Sequence, residues 1–272
     1  MNLGLKDAAI CVSGGTRGLG REAALAFARE GARLVVTGRS ADAISATVDE
    51  LSKAGSPDAF GLSVDLRDPR SIEEAFSVIA SRWGQLNTLI NMAGPNEPSG
   101  GTDFSEVPDD RWQYYFDVGI MSAVRCTRAA LPLMRAAGWG RVVNISSVSA
   151  SLGLPMEAPY MTAKAGLNAL SKNMAWALAK EGILVNTVTP GVFRTEGTAQ
   201  YMAMSGATDR YDPDDLSAIW NWMRDVNGGR HGGVIGRVAL ADELAPLLLL
   251  LGSPANTYIV GANIPVDGGT DF

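Results

Sequence analysis

Seven short runs of almost unbroken apolar residues alternate with amphipathic stretches along most of this 272-residue chain, and few arrangements can bury both. The runs "AAICVSG", "RLVVTG", "FGLSVDL", "LNTLINMAG", "RVVNISS", "LVNTVTPG" and "NIPVDGG" read as strands. They are nearly all apolar, as strands covered on both faces should be. Helical patterns separate most of them. "REAALAFAREG" closes on Gly31, "SADAISATVDELSKAG" opens on Ser40 and ends near Gly55, and "DPRSIEEAFSVIASRWG" offers Asp68 as cap with Pro69 in the first helical position. Repeated strand–helix units with right-handed crossovers predict an α/β fold with a single doubly wound parallel seven-stranded sheet and helices on both faces. No linker-like stretch intervenes, so residues 1–272 are expected to form one domain. Its exception is an insertion at about 193–235, which shows no strand pattern and is long for a connection; a lid or substrate loop with short helices of its own is expected there.

Bulk properties narrow the function. With 46% hydrophobic and 19% charged residues the chain can build a sizeable core. A formal charge of −6 with five lysines argues against nucleic acid or an anionic membrane as the main partner and leaves a small molecule. Cys11 and Cys126 lie far apart and make no CxxC pair, so they read as small core residues rather than a disulfide or zinc site. His231 is the only histidine, which leaves a His-based triad or multi-His metal site little to stand on, and no metal is expected. The N-terminus has no basic start or cleavage-like site, and "LAPLLLLLGSP" is too short to span a bilayer, so a cytoplasmic protein without a membrane segment is expected.

Directly after the first strand comes "SGGTRGLG", Ser13 to Gly20, opening a helix. Gly14 allows the tight turn, Gly18 lets backbone approach a pyrophosphate, and Gly20 lets helix pack on strand, with phosphate charge near the helix N-terminus. No Lys-Ser or Lys-Thr follows, so this is not a Walker loop. A Rossmann-like dinucleotide site is the reading, with Ser13, Thr16 and Leu19 in the same loop. At the end of the second strand an acidic residue would hold a ribose 2′-hydroxyl. Here Gly38 and Arg39 stand instead, and Arg17 sits within the loop. Two guanidinium groups suit a 2′-phosphate, which favours NADP(H) and leaves NAD(H) possible.

Farther on, "APYMTAKAG" places Tyr160 and Lys164 four apart at the start of a helix, on one face and in contact range. Ser147, in "NISS" at the end of the preceding strand, lies where open α/β sheets bind ligands. The physics suits the pair. Ionising a tyrosine of pKa about 10 at neutral pH costs about 4 kcal/mol. A unit positive charge at about 4 Å returns about 4 kcal/mol at an effective dielectric of 20.

Taken together, the Gly14, Gly18, Gly20 loop, Asp65 after the third strand, "NMAG" at Asn91 to Gly94, Ser147, Tyr160 with Lys164, "PGVFRT" from Pro190 to Thr195 and the terminal "VDGG" resemble the short-chain dehydrogenase/reductase family over essentially the whole chain. The resemblance implies a NADP(H)-dependent oxidoreductase in which Tyr160 is the general acid or base. Lys164 would hold the ribose and lower the tyrosine pKa, and Ser147 would bond the substrate oxygen. It implies that Asp65 lies near the adenine, that Asn91, Ala93 and Gly94 support the cofactor site, and that Pro190, Gly191, Val192 and Thr195 flank the nicotinamide. It also implies a homotetramer or dimer built partly by the helix containing Gly119 and the one beginning at Tyr160.

Two positions depart from the family pattern. Met92 replaces a second Asn, and Gly119 stands where an Asn usually completes a proton relay. Water held on backbone at Gly119 would preserve the relay; a kink without catalytic meaning is the alternative. Substrate choice is expected to lie after Gly191, with Phe193, Trp220 and Trp222 facing Leu154 and Met156, a lining suited to a small apolar ketone or secondary alcohol. Aromatic residues at such spacing serve equally as core. Reduction of a 3-oxoacyl thioester on an acyl carrier is a second reading, and a dinucleotide-binding sensor with weakened catalysis is a third.

Overall fold

A computed structural model of the protein describes residues 2–94, 104–152, 158–226 and 233–270. Six strands appear in turn: β1 (Ala9–Ser13), β2 (Arg33–Gly38), β3 (Ala59–Ser63), β4 (Thr88–Asn91), β5 (Gly140–Ile145) and β6 (Ile183–Pro190). Three helices follow the first three strands: α1 (Gly18–Arg29), α2 (Ala41–Ala54) and α3 (Pro69–Trp83). Their ends obey local chemistry. Ser40 Oγ accepts from the Ala43 amide at 3.3 Å, Asp68 Oδ1 accepts from the Arg70 amide at 2.9 Å, and Gly55 and Gly84 close α2 and α3 at positive φ.

With β9 (Asn263–Val266) the six strands form one parallel sheet in the order β3-β2-β1-β4-β5-β6-β9. Alternate residues of β1 serve different faces. Ile10 and Val12 join α1 and Leu51 of α2 on one side, where α9 (Ala245–Leu251) adds Leu248 and Leu251. Ala9 and Cys11 join α3 on the other, together with α5 (Ser122–Ala137) and the C-terminal part of α6 (Ala158–Leu178). Both cysteines are free and buried in this second core. Burial pushes both thiols up, Cys126 to about 12, which leaves them unreactive packing residues.

Helix α4 (Asp109–Phe116) runs into α5 through one wide turn, Asp117–Met121, of π-helical geometry. There the Ser122 amide reaches back to the Asp117 carbonyl, and Ser122 Oγ donates to the Val118 carbonyl at 2.6 Å. Gly119 is buried in this turn. A π turn inside a helix often marks a functional segment.

The 193–235 stretch departs from its sequence reading in one respect. Phe193–Arg194 form a two-residue strand, β7, paired in parallel with β8 (Ala239–Leu240). A pair this short has no periodicity for the sequence to display. Helices α7 (Glu196–Met204) and α8 (Leu216–Val226) follow β7 and share a separate apolar cluster of Met202, Ala207, Ile219, Trp222 and Val238. An Arg194–Asp214 ion pair ties β7 to the start of α8.

One buried cation fixes the far end of the sheet. Arg141 of β5 is 5% exposed, and its guanidinium donates to the carbonyls of Ser253 (3.1 Å), Asn256 (2.7 Å), Gly140 (2.7 Å) and Gly182 (3.2 Å). It also lies 5.1 Å from the Trp139 ring. Removing the donors strands buried carbonyls, each costing about 1–3 kcal/mol. Arg141→Met is therefore expected to destabilise the fold by about 3 kcal/mol in urea unfolding while leaving the far-UV spectrum native; a loss under about 1 kcal/mol would show that water replaces the guanidinium there.

Candidate active site

The strand order reverses between β1 and β4, and their carboxyl ends open the crevice where doubly wound sheets bind ligands. The glycine loop follows β1 and the "NMAG" segment follows β4, and the two touch. Gly14, at φ +73°, lies so close to Ala93 that a Cβ there would meet the Ala93 Cα at 2.9 Å. A Cβ on Gly20 would meet the Gly14 carbonyl oxygen at 2.2 Å, so neither position has room for a side chain. Thr37, buried at the end of β2, supports the loop: its Oγ1 accepts from the Gly14 amide at 3.4 Å and its carbonyl from the Gly15 amide at 3.2 Å. Ser13 is buried beside it, its carbonyl accepting from the Met92 amide, and Leu19 packs against the core from α1.

Helix α1 begins at Gly18 without a side-chain cap on its first amides. The N-cap residue, Arg17, is extended and exposed. Thr195 lies across the crevice from this helix start, its Cβ 3.8 Å from where a Gly18 Cβ would be. An uncapped helix N-terminus flanked by Gly14 and Gly20, neither with room for a side chain, fits a pyrophosphate. Thr16 packs on Gly38, where a Cβ would sit 2.8 Å from its Cγ2, and the exposed Arg39 follows. Asp65 accepts from the Arg67 amide and guanidinium at 2.9–3.1 Å. That bonding, with Arg39 adding its charge, holds the Asp65 carboxyl below the usual carboxylate range. Arg67, Thr37 and the Thr16–Gly38 contact were not anticipated from the sequence. Their signal is spatial, since each depends on a neighbour from another strand or turn.

Catalytic candidates converge from β5 and α6. Lys164 is 3% exposed and its ammonium donates to the Ile145 carbonyl at 2.7 Å, two residues before Ser147. Burial lowers the Lys164 pKa from 10.5 to about 8. A Cβ on Gly94 would lie 3.3 Å from the Lys164 nitrogen, so this glycine leaves the ammonium its place. Tyr160 stands one turn earlier on α6, its ring centroid 5.8 Å from that nitrogen. Ser147 leaves β5 extended and caps a short 3-10 turn, its Oγ accepting from the Ser149 amide at 3.2 Å. Beneath them runs a buried amide chain. Asn91 donates to Asn144 Oδ1 at 2.8 Å, and Asn144 donates to Ser171 of α6 at 2.8 Å. Asn91 thereby braces β4, β5 and α6 against one another.

Pro190 ends β6, and Gly191 abuts Asp267 of "VDGG", where a Cβ would meet the Asp267 Cα at 2.8 Å. Val192 bonds to Ala239 and, with Trp220, Met223, Arg237, Asp267 and Thr270, lines a small cavity under the 193–240 segment. Phe193 packs into the main core and Trp222 into the cluster of α7 and α8. Of the three described residues expected to face substrate, these two are engaged in packing, and Trp220 alone lines that cavity. Leu154 and Met156 lie outside the described residues.

No group of three or more metal-binding side chains occurs among the described residues, and no helix among them is long and apolar enough to cross a membrane.

Residues 8–205 match the family of short chain dehydrogenases. The uncharacterized oxidoreductase YvrD of Bacillus subtilis is 36% identical over 271 residues, covering 99% of this chain and 98% of its own. The 3-oxoacyl-[acyl-carrier-protein] reductase FabG of Escherichia coli is 32% identical over 258 residues, with 95% of each covered. In three dimensions the chain is similar to L-sorbose reductase from Gluconobacter frateurii, solved in complex with NADPH and L-sorbose. That likeness has a TM-score of 0.89 and 29% identity over 99% of this chain and 98% of the other. A glycine loop at the β1–β4 reversal, with Lys164 anchored to the end of β5 beside the Tyr160 ring, thus accompanies a whole-length likeness, and the chain belongs to the short-chain dehydrogenase family, oxidoreductases of CH–OH and C=O groups that bind a nicotinamide cofactor.

Proposed function

We propose that this protein is a NADP(H)-dependent reductase of a small ketone, or the dehydrogenase of the matching secondary alcohol, with Tyr160 as general acid or base. The observation that carries the reading is the buried Lys164 ammonium, fixed to the Ile145 carbonyl one helical turn from Tyr160 and one strand end from Ser147. When bound, the cofactor supplies or accepts the hydride. Gly14, Gly18 and Gly20 would admit its pyrophosphate at the α1 N-terminus, Arg17 and Arg39 a 2′-phosphate, and Asp65 the adenine end. Asn91, Ala93, Gly94 and Pro190 to Thr195 would border the nicotinamide. In reduction Tyr160 gives its proton to the developing alkoxide while Ser147 donates a hydrogen bond to the same oxygen. Lys164 keeps the phenol acidic by its charge. At Gly119, water on backbone would complete the relay to Lys164.

The neighbour bound to NADPH and L-sorbose supports NADPH over NADH and a ketone as substrate. The Escherichia coli relative supports 3-oxoacyl thioesters as the second substrate class. A sensor without turnover is disfavoured because a pure binder needs no Ser147, Tyr160 and Lys164. The 193–235 segment would act as a lid over the site within one domain. A homotetramer or dimer in the cytoplasm is the favoured state. Its support is the exposure of Trp176 on α6 and of Tyr258, 89% and 94%, large aromatic side chains of the kind a second copy covers.

The first test is NADPH oxidation over a panel of ketones, hydroxyketones and 3-oxoacyl thioesters. Tyr160→Phe is expected to lower turnover by about 10²- to 10⁴-fold with cofactor affinity unchanged; undiminished turnover would remove Tyr160 from the chemistry. Arg39→Asp is expected to reverse the preference for NADPH over NADH, as a carboxylate repels the 2′-phosphate and accepts from a 2′-hydroxyl; an unchanged ratio would place the selectivity elsewhere. Because Lys164 titrates near pH 8 when folded and near 10.5 when unfolded, the unfolded chain binds more protons between those values. Stability of the cofactor-free protein should therefore rise with pH across that window, and Lys164→Met should abolish the rise. The same variant should move the rising limb of the pH–rate profile for alcohol oxidation to higher pH, since Tyr160 loses its neighbouring charge. Gly119→Asn with an unchanged pH–rate profile would count against the backbone-water relay.

A further inference from the structure

The helix that departs from the family pattern at Gly119 carries, one turn earlier, a second phenol against the catalytic one. Tyr115 of α4 is 1% exposed. Its ring meets that of Tyr160 edge to face, with centroids 6.3 Å apart and planes at 84°. Tyr115 is itself held from its own helix. Tyr114 packs on it at 5.5 Å and 89°, and the Arg111 guanidinium, one turn back, lies 5.9 Å from its ring centroid.

Tyr160 needs such a neighbour. It is the third residue of α6, in the first turn, where the backbone has the fewest helical hydrogen bonds to hold it. A tyrosine that transfers a proton must keep its oxygen within about 2.6–3.2 Å of the reacting oxygen, and rotation about its side-chain bonds carries it out of that range. Lys164 acts on the ring through charge, which falls off gradually with distance and sets no orientation. A perpendicular aromatic contact does set one, because the positive edge of one ring seeks the negative face of the other.

We infer that Tyr115 is a positioning residue for Tyr160: its ring, braced by Arg111 and Tyr114, pins the catalytic phenol in the orientation for proton transfer. The inference rests on the reading of Tyr160 as general acid or base. Pinning is a property of the ring, so phenylalanine at 115 should serve and an aliphatic side chain should not. Misplacing a catalytic group lowers the chemical step without weakening cofactor binding.

The test uses Tyr115→Leu, Tyr115→Met, Tyr115→Phe and Tyr160→Phe, with thermal melts to establish folding. The substrate is the best ketone from the panel. Tyr115→Leu and Tyr115→Met should lower kcat about tenfold or more, with KM for NADPH within about twofold, and Tyr115→Phe should return kcat to within about twofold of the parent; tenfold corresponds to about 1.4 kcal/mol of barrier. Aliphatic variants with parental kcat, a loss that Tyr115→Phe shares, or a loss confined to KM for NADPH would each overturn the positioning role. If neither aliphatic variant folds while Tyr115→Phe does, the ring serves the core and the proposal falls. Full turnover in Tyr160→Phe would instead overturn the reading of the site, whatever the Tyr115 variants do.

Discussion

Parallel pairing of β1 with β4, from Ile10 against Thr88 to Ser13 against Asn91, is the constraint on which the site depends. It ends two strands that lie far apart in sequence at one edge, so the glycine loop and the "NMAG" segment meet there and Gly14 rests on Ala93. The register is held by the faces of the sheet. A slip of one residue would send Cys11 into the core of α1 and Ile10 into that of α3, exchanging side chains of different volume between two packed interiors. From Asn91 the constraint passes through Asn144 to Ser171 of α6.

On the same helix as Ser171, Lys164 is a buried cation with no carboxylate partner among the described residues. Its ammonium donates to the Ile145 carbonyl, and burial lowers its pKa to about 8. At neutral pH it still holds its proton most of the time, so a positive charge stands beside the Tyr160 ring. The desolvation that makes this charge effective is the same one that destabilises it. Arg141 shows a structural use of the same device. It too is buried on β5 and bonded to carbonyls, yet it sits at the opposite end of the strand and ties down the loop before β9.

Gly119 gives the active-site helix a character of its own. The chain makes a wide turn there, with Ser122 bonding the Val118 carbonyl, and Gly119 contributes no side chain to it. One turn earlier Tyr115 fills the space against Tyr160. The helix therefore meets Tyr160 through an aromatic ring at position 115 and carries no side chain at position 119.

What the sequence determined by itself were the features whose physics is local. Seven strands, the Ser40 and Asp68 caps and the glycine loop each act within a few residues, and Tyr160 with Lys164 share a face because a helix repeats every 3.6 residues. Tertiary structure alone decided the rest. Hydrophobicity says that Phe193 and Trp222 are buried but not what they are buried against, so the clusters they join became visible only with their neighbours. The pairing of β7 with β8 was hidden because two residues show no period. The anchor of Lys164 was hidden because a backbone carbonyl is the same in every residue, and Tyr115 because contact between two helices leaves no spacing to read.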